Sequence, residues 1–283
     1  MNDNTRQKPT LVLGGTGKTG RRVVERLRER GLPVRIGSRS GVPRFDWEDR
    51  DTWAPAVDGV GAVYLTYYPD LALPGAVEAT RSFAELAVDS GIPRLALLSG
   101  RGEPEAERAE EAVRDTGAEL TILRSTWFMQ NLSEDYMVEH VLSGDIRLPP
   151  GDVPTPFLDA GDIADAAVAA VTDDRHVGQL YELTGPRSLT FTEVAEEIGE
   201  ATGREIRYTP VSLEQHATEA AQHGIPTEVI ELLTYLFSEV VDGRNAETTD
   251  GVRRALGREP RDFADYARET AASGVWNASA VTA

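Results

Sequence analysis

The segment Leu11-Val12-Leu13-Gly14-Gly15-Thr16-Gly17-Lys18-Thr19-Gly20 constrains this chain more than any other. An apolar run feeds a glycine-rich turn, and the turn opens an amphipathic helix over Arg21–Arg30. Such a junction presents backbone N–H groups and a helix N-terminus to a pyrophosphate. Two overlapping frames fit: Gly15-x-Gly17-x-x-Gly20 and the looser Gly14-x-x-Gly17-x-x-Gly20. Gly-Lys-Thr also suggests a triphosphate-binding loop. That motif needs a glycine five residues before Gly17, and Val12 stands there, inside the strand.

A second strand, Pro33–Ser38, follows at the spacing of a βαβ unit. An NAD site carries an acid about 20 residues beyond the glycines, to hold the ribose hydroxyls. Here that position reads Gly37-Ser38-Arg39-Ser40. A carboxylate would repel a 2′-phosphate, whereas Arg39 and the serine hydroxyls, Ser38 among them, suit one. The expected cofactor is therefore NADP(H); the plainer reading of Arg39 is a solvated surface arginine.

At 283 residues the chain can form one large α/β domain with a small lobe. It has no cysteine, which excludes disulfides, thiolate metal sites and cysteine nucleophiles. The histidines (His140, His176, His216, His223) lack metal-ligand spacing, and His216 and His223 read as solvated surface. No metal is expected. A net charge of −18 disfavours direct nucleic-acid binding. The acids spread along helices, as in Glu103–Glu111 and Glu193–Glu200, which reads as solvated faces. No apolar run approaches a membrane span and the N-terminus is not signal-like, so a soluble cytoplasmic protein is expected.

Strands alternate with glycine-stopped helices along the first half: Ala62–Thr66, helix Pro74–Ser90, Leu95–Ser99, helix Pro104–Thr116 and Leu120–Arg124. This pattern predicts a Rossmann-like, doubly wound parallel sheet, with ligands beyond the strand C-termini. Beyond Asn131 the rhythm changes. A proline-rich crossing (148–156) leads to helix Asp162–Val171, capped by Asp162, and a strand near 179–184 expected to return to the sheet region. Helices Thr192–Thr202, Leu213–His223, Thr227–Val241 and Asp262–Ala272 follow. The expected division is a cofactor-binding core over 1–150 and a smaller, mostly helical substrate-side lobe over 151–283. The two should form one compact unit, with a substrate pocket at the lobe interface. The tail beyond Trp276 is expected to fray.

At this point the chain resembles the NmrA-like branch of the atypical short-chain dehydrogenases/reductases over almost its whole length. The resemblance rests on Gly14–Gly20, Ser38-Arg39-Ser40, Phe45-Asp46-Trp47, Leu98-Ser99-Gly100, Leu123–Asn131, Asp162-Ile163-Ala164 and Leu256–Pro260. Within the branch, Gly-Lys-Thr, Ser-Arg-Ser, Phe-Asp-Trp and Thr-Trp-Phe-Met look like the festuclavine-dehydrogenase-type reductases of ergot alkaloids and their bacterial relatives. The resemblance implies a Rossmann fold that binds NADP(H). Gly14, Thr16, Gly17, Lys18 and Thr19 would meet the pyrophosphate, Arg39 the 2′-phosphate, and Asp46 and Trp47 the adenine. Thr66-Tyr67-Tyr68, Ser99 and Gly100 would run beside the ribose and nicotinamide, and the segment from Trp127 through Phe128 to Asn131 would line the substrate side.

One departure matters. The better-known members donate a proton from a tyrosine whose pKa a lysine four residues later lowers. No lysine follows Lys18 here, so that pair cannot exist. Two accounts survive. In one, the protein is a reductase whose acceptor needs little acid catalysis: an iminium carbon already carries positive charge, whereas a ketone, enone or quinone needs a donor. Tyr136, with His140 one helical turn on, is the candidate donor, although simple helix packing explains the pair as well. Ser99 would bond a substrate oxygen or only backbone. At most one of Tyr67 and Tyr68 can face a pocket, whose apolar wall Trp127 and Phe128 would form, with Phe157 and Tyr235 contributing from the lobe. In the other account the protein holds dinucleotide without turnover and reports redox state to a protein partner.

Overall fold

The computed structural model describes residues 8–277; the tail expected to fray lies almost wholly outside them. In chain order the elements are β1 (Thr10–Leu13), α1 (Lys18–Glu29), β2 (Val34–Gly37), α2 (Trp53–Val57), β3 (Ala62–Leu65), α3 (Ala76–Asp89), β4 (Arg94–Gly100), α4 (Pro104–Arg114) and β5 (Glu119–Ser125). Then come α5 (Asn131–Glu134), α6 (Met137–Ser143), β6 (Asp145–Leu148), α7 (Ala160–Thr172), β7 (Leu180–Leu183), α8 (Phe191–Thr202) and β8 (Arg207–Pro210). Last are α9 (Leu213–Gln222), α10 (Thr227–Tyr235) running into a π-helical turn (Leu236–Val240), α11 (Gly251–Leu256) and α12 (Phe263–Ser273).

Six strands form one sheet in the order β2-β1-β3-β4-β5-β7. β1 pairs in parallel with both β2 and β3, and β3 with β4. The chain winds outward from β1 to β2 and then crosses to β3 on the other side. That reversal opens a crevice at the strand C-termini between β1 and β3, which is where open α/β sheets bind ligands. Alternation across the pleat divides the core. Leu11, Leu13, Val63, Leu65, Leu95 and Leu97 pack with Trp53, Phe83, Ala109 and Val113 from α2, α3 and α4. Val12, Tyr64 and Ala96 point to the opposite face, where α1 and α7 are tied by the Arg26–Asp165 ion pair.

Contacts group the chain into two compact units. The first holds Met1–Arg124, Gly161–Glu182 and Arg254–Gly257; the second holds Ser125–Ala160, Leu183–Arg253 and Arg258–Ala283. The chain therefore alternates between them instead of dividing once near residue 150. The second unit is built around Phe157, Phe191, Val194, Ile198, Phe237, Phe263 and Trp276. It contains a two-stranded parallel sheet, β6 with β8, that the helical reading of this region misses. α7 begins two residues before the expected cap, so Asp162 sits inside its first turn. Among the described residues no helix is long and apolar enough to cross a membrane.

Candidate functional site

The glycine turn closes through the Gly17 N–H, which donates to the Gly14 carbonyl at 2.8 Å. Gly14 has φ +59°, a conformation that favours glycine. A Cβ on Gly20 would overlap the Gly14 carbonyl, so the third glycine lets α1 approach the turn. The N-terminus of α1 has neither a side-chain cap nor an acidic residue in its first turn. Its amide donors and positive dipole end therefore remain available for an anion. Gly14, Thr16 and Gly17 are exposed, and Lys18 is half-buried. Thr19 is buried beside Tyr64, so what it can offer a phosphate is its backbone N–H.

The end of β2 lies against this turn. Leu13 is in register with Gly37, and the Gly15 N–H donates to the Gly37 carbonyl at 3.4 Å. The Ser38 carbonyl accepts from the N–H groups of Gly41 and Phe45, closing a loop that leaves Arg39 exposed. Among the described residues no carboxylate pairs with Arg39. On the far side of β1, a Cβ on Gly14 would come within 2.8 Å of the Thr66 hydroxyl, so the ends of β1 and β3 converge at the crevice. Trp47 donates its indole N–H to the Thr66 carbonyl at 3.1 Å and packs at 5.0 Å from Tyr67. Tyr67 is half-buried, whereas Tyr68 is 69% exposed. The Asp46 carboxylate is engaged in its own turn by Arg44 at 2.5 Å and the Glu48 N–H at 3.2 Å.

Ser99 fills neither expected role. Its hydroxyl is buried and donates at 2.6 Å to Glu110 of α4, which Arg124 of β5 grips through two nitrogens at 2.7–3.0 Å. Glu110 is 1% exposed and Glu103 6% exposed, so the acidic stretch over 103–111 is not wholly a solvated face. Arg124 makes the burial of Glu110 tolerable by matching charge and geometry.

The remaining candidates lie in the second unit. Trp127 stacks on Phe237 at 5.2 Å, and Phe237 meets His216 edge-on at 5.2 Å. The Tyr136 hydroxyl lies 3.3 Å from His216 Nε2. His216 is 2% exposed, a correction to its reading as surface; the aromatic surroundings of α9 bury it. Burial pushes the Tyr136 phenol well above its usual value, and burial lowers both His140 and His216. His140 Nδ1 accepts the Arg147 N–H at 3.2 Å. Phe157 is not a pocket wall: it is fully buried between Phe191 and Phe263. Phe128 and Leu158 form a β-bridge, Asn131 opens α5, and Tyr235 ends α10; Phe128, Asn131 and Tyr235 are all half-buried.

The model of the NmrA-like family matches residues 107–267. The chain belongs to that family. It is 34% identical to the uncharacterized oxidoreductase YesF of Bacillus subtilis, over 94% of this chain and 96% of that one. It is 31% identical to agroclavine dehydrogenase of Claviceps fusiformis, over 94% and 98%. Among solved structures it resembles NADPH-dependent quinone oxidoreductase of Escherichia coli, complexed with NADPH. The TM-score is 0.78 and the identity 20%, over 92% of this chain and 99% of that one. That likeness establishes the same fold.

Within this NmrA-like chain, three buried groups lie beyond sequence reasoning: Glu103, Glu110 and His216. A carboxylate or imidazole in an amphipathic helix carries no local mark of burial. The partners that make it tolerable, Arg124 for Glu110 and Tyr136 for His216, stand 14 and 80 residues away. Among the described residues no cluster of side chains suits a metal ion.

Proposed function

We propose that this chain is an NADPH-dependent oxidoreductase that reduces a small organic substrate without a tyrosine–lysine pair. The observation that carries the reading is the uncapped, acid-free N-terminus of α1 behind the Gly14–Gly17 turn, with Arg39 in place of an acid at the end of β2. The turn amides and Lys18 would hold the pyrophosphate, and Arg39 with Ser38 the 2′-phosphate. Trp47 would offer its ring to the adenine, with Thr66, Tyr67 and Gly100 along the ribose and nicotinamide. When bound, NADPH supplies hydride. The dehydrogenase and reductase activities in the names of the relatives favour catalysis over a pure binding role.

The substrate class follows from the missing acid. A buried phenol whose pKa is raised gives up its proton reluctantly, so Tyr136 is a poor donor. Trp127, partly buried and stacked on the buried Phe237, would offer an apolar face for an unsaturated ring. An acceptor that is already cationic, such as an iminium, fits these residues better than a ketone or enone; a quinone needs protons that solvent can supply. The test is NADPH oxidation by the purified chain against iminium, ketone, enone and quinone panels. Turnover on iminium compounds with little on unactivated ketones is expected. Tight NADPH binding with no oxidation by any class would overturn the enzyme reading in favour of a redox-reporting module.

A further inference from the structure

Two rings of the second unit pack against Phe237, and each carries a buried nitrogen that bonds nothing. Trp127 lies face to face with Phe237, with ring centroids 5.2 Å apart and 28° between the planes. His216 of α9 meets Phe237 edge-on, at 5.2 Å and 87°. Phe237 itself sits on the π-helical turn that follows α10. Such turns are rare and occur frequently at functional sites. His216 is buried, and among the described residues neither its Nδ1 nor the indole Nε1 of Trp127 has a hydrogen-bond partner. Buried polar groups are nearly always paired, so two orphans on one aromatic cluster call for an explanation. The indole N–H can only donate.

The Tyr136 contact decides what His216 offers. Its Nε2 lies 3.3 Å from the Tyr136 hydroxyl. Burial raises the phenol and lowers the imidazole, so the one keeps its proton and the other is neutral. A neutral imidazole has one donor nitrogen and one acceptor nitrogen. With the proton on Nε2, the Tyr136 O–H would lack an acceptor among the described residues and Nδ1 would be an unfilled lone pair. With the proton on Nδ1, Tyr136 donates to Nε2 and only the Nδ1–H is left over. The second form satisfies more groups and is the one the contacts favour. His140 does not compete for the phenol: its ring lies 6.0 Å from that of Tyr136, and its Nδ1 accepts the Arg147 N–H at 3.2 Å. The neighbouring charges, Arg147 and Glu219, pair with each other at 2.7 Å.

We propose that the Nδ1–H of His216 and the Nε1–H of Trp127 recognise the substrate, donating to hydrogen-bond acceptors such as carbonyl oxygens carried by its unsaturated ring. Tyr136 is a positioning residue that acts through His216 by fixing its tautomer. This deepens the reductase reading and rests on it: the substrate has an acceptor-bearing ring as well as a reducible carbon. A neutral His216 does not repel a cationic acceptor. Trp127 and Tyr136 are only partly buried, so the cluster reaches the surface on their side. A site built with unpaired buried donors rejects a ring that lacks the acceptor, because that ring leaves them unpaired.

The test has two readouts on the full chain. Nitrogen-15 NMR of the imidazoles should find His216 with its proton on Nδ1 in wild type and on Nε2 in Tyr136→Phe. A wild-type proton on Nε2 would overturn the positioning role. The second readout is binding of the N-methyl-3,4-dihydroisoquinolinium ion, bare and with an N,N-dimethylcarboxamide at each ring position in turn. At the best position the carboxamide should tighten binding about tenfold over the bare ring and shift the His216 Nδ1 and Trp127 indole resonances. In turnover the preference should appear in KM. His216→Phe keeps a ring against Phe237 but removes both nitrogens. In it and in Tyr136→Phe the preference, taken as a ratio within each variant, should fall below about threefold. A preference that persists in both variants, or that is absent at every position in wild type, would overturn the proposal. Preferential binding with no NADPH oxidation would keep the recognition site and refute the reductase reading. Oxidation without any preference would do the reverse.

Discussion

Arg39 and Glu110 show how differently two charged residues can be read. The proposed 2′-phosphate role of Arg39 comes from its spacing to the glycine turn; in the fold its side chain is exposed just past the end of β2. Glu110 reads as one more acid on a helix, yet it is buried between Ser99 and Arg124. Truncation to Glu110→Ala strands the half-buried Arg124 guanidinium and empties the space beneath β4. The expected loss is about 3 kcal/mol, on the order of 10 °C in Tm. Ser99→Ala removes one hydroxyl donor and should cost about 1 kcal/mol. Equal small losses for both, measured by thermal melts, would show that the Arg124–Glu110 pair does not organise this face. Tyr136→Phe belongs at the same scale: iminium turnover should change less than about threefold, because a general acid is worth 10²–10⁴-fold and Tyr136 is not acting as one.

Among the elements, those with a clear period and a glycine stop are readable: α1, α3, α4 and the apolar strands between them. β6 and β8 are not. Asp-Ile-Arg-Leu and Arg-Tyr-Thr-Pro are four residues each, and only their pairing with one another makes them strands. The start of α7 differs from the expected one because Asp162 has a capping residue's chemistry without the position. α1 carries the element-scale prediction. Lys18→Glu places an acid in a first turn that has none, and should raise helix stability by about 0.3–1 kcal/mol through the dipole. The same charge should weaken NADPH and NADH alike, by about tenfold, since both share the pyrophosphate. Unchanged affinity with raised stability would separate the helix N-terminus from phosphate binding.

Over the whole molecule, the sheet and its crevice are legible because local patterns repeat from β1 through β5. The division into units is legible only in part: the strand expected near 179–184 does return to the sheet as β7, whereas the rejoining of α7 and of Arg254–Gly257 to the first unit is not legible. Contacts of that range leave no local trace in composition. The net charge of −18 also acts at this scale. Raising salt from about 0.1 to about 1 M shortens the Debye length from ~10 to ~3 Å. That relieves self-repulsion and should raise Tm by several degrees, roughly 2–4 °C per kcal/mol gained. A flat or falling Tm would mean that local ion pairs, such as Arg187 with Asp262 and Glu197, outweigh the net repulsion.

The central claim is a dinucleotide site that selects for the 2′-phosphate, and the most direct measurement is a paired titration of wild type and Arg39→Glu with NADPH and NADH. Wild type should bind NADPH more tightly than NADH. Arg39→Glu should weaken NADPH by at least about tenfold and leave NADH nearly unchanged, because the new charge opposes only the 2′-phosphate. Equal losses for both cofactors, or no preference in wild type, would contradict the account.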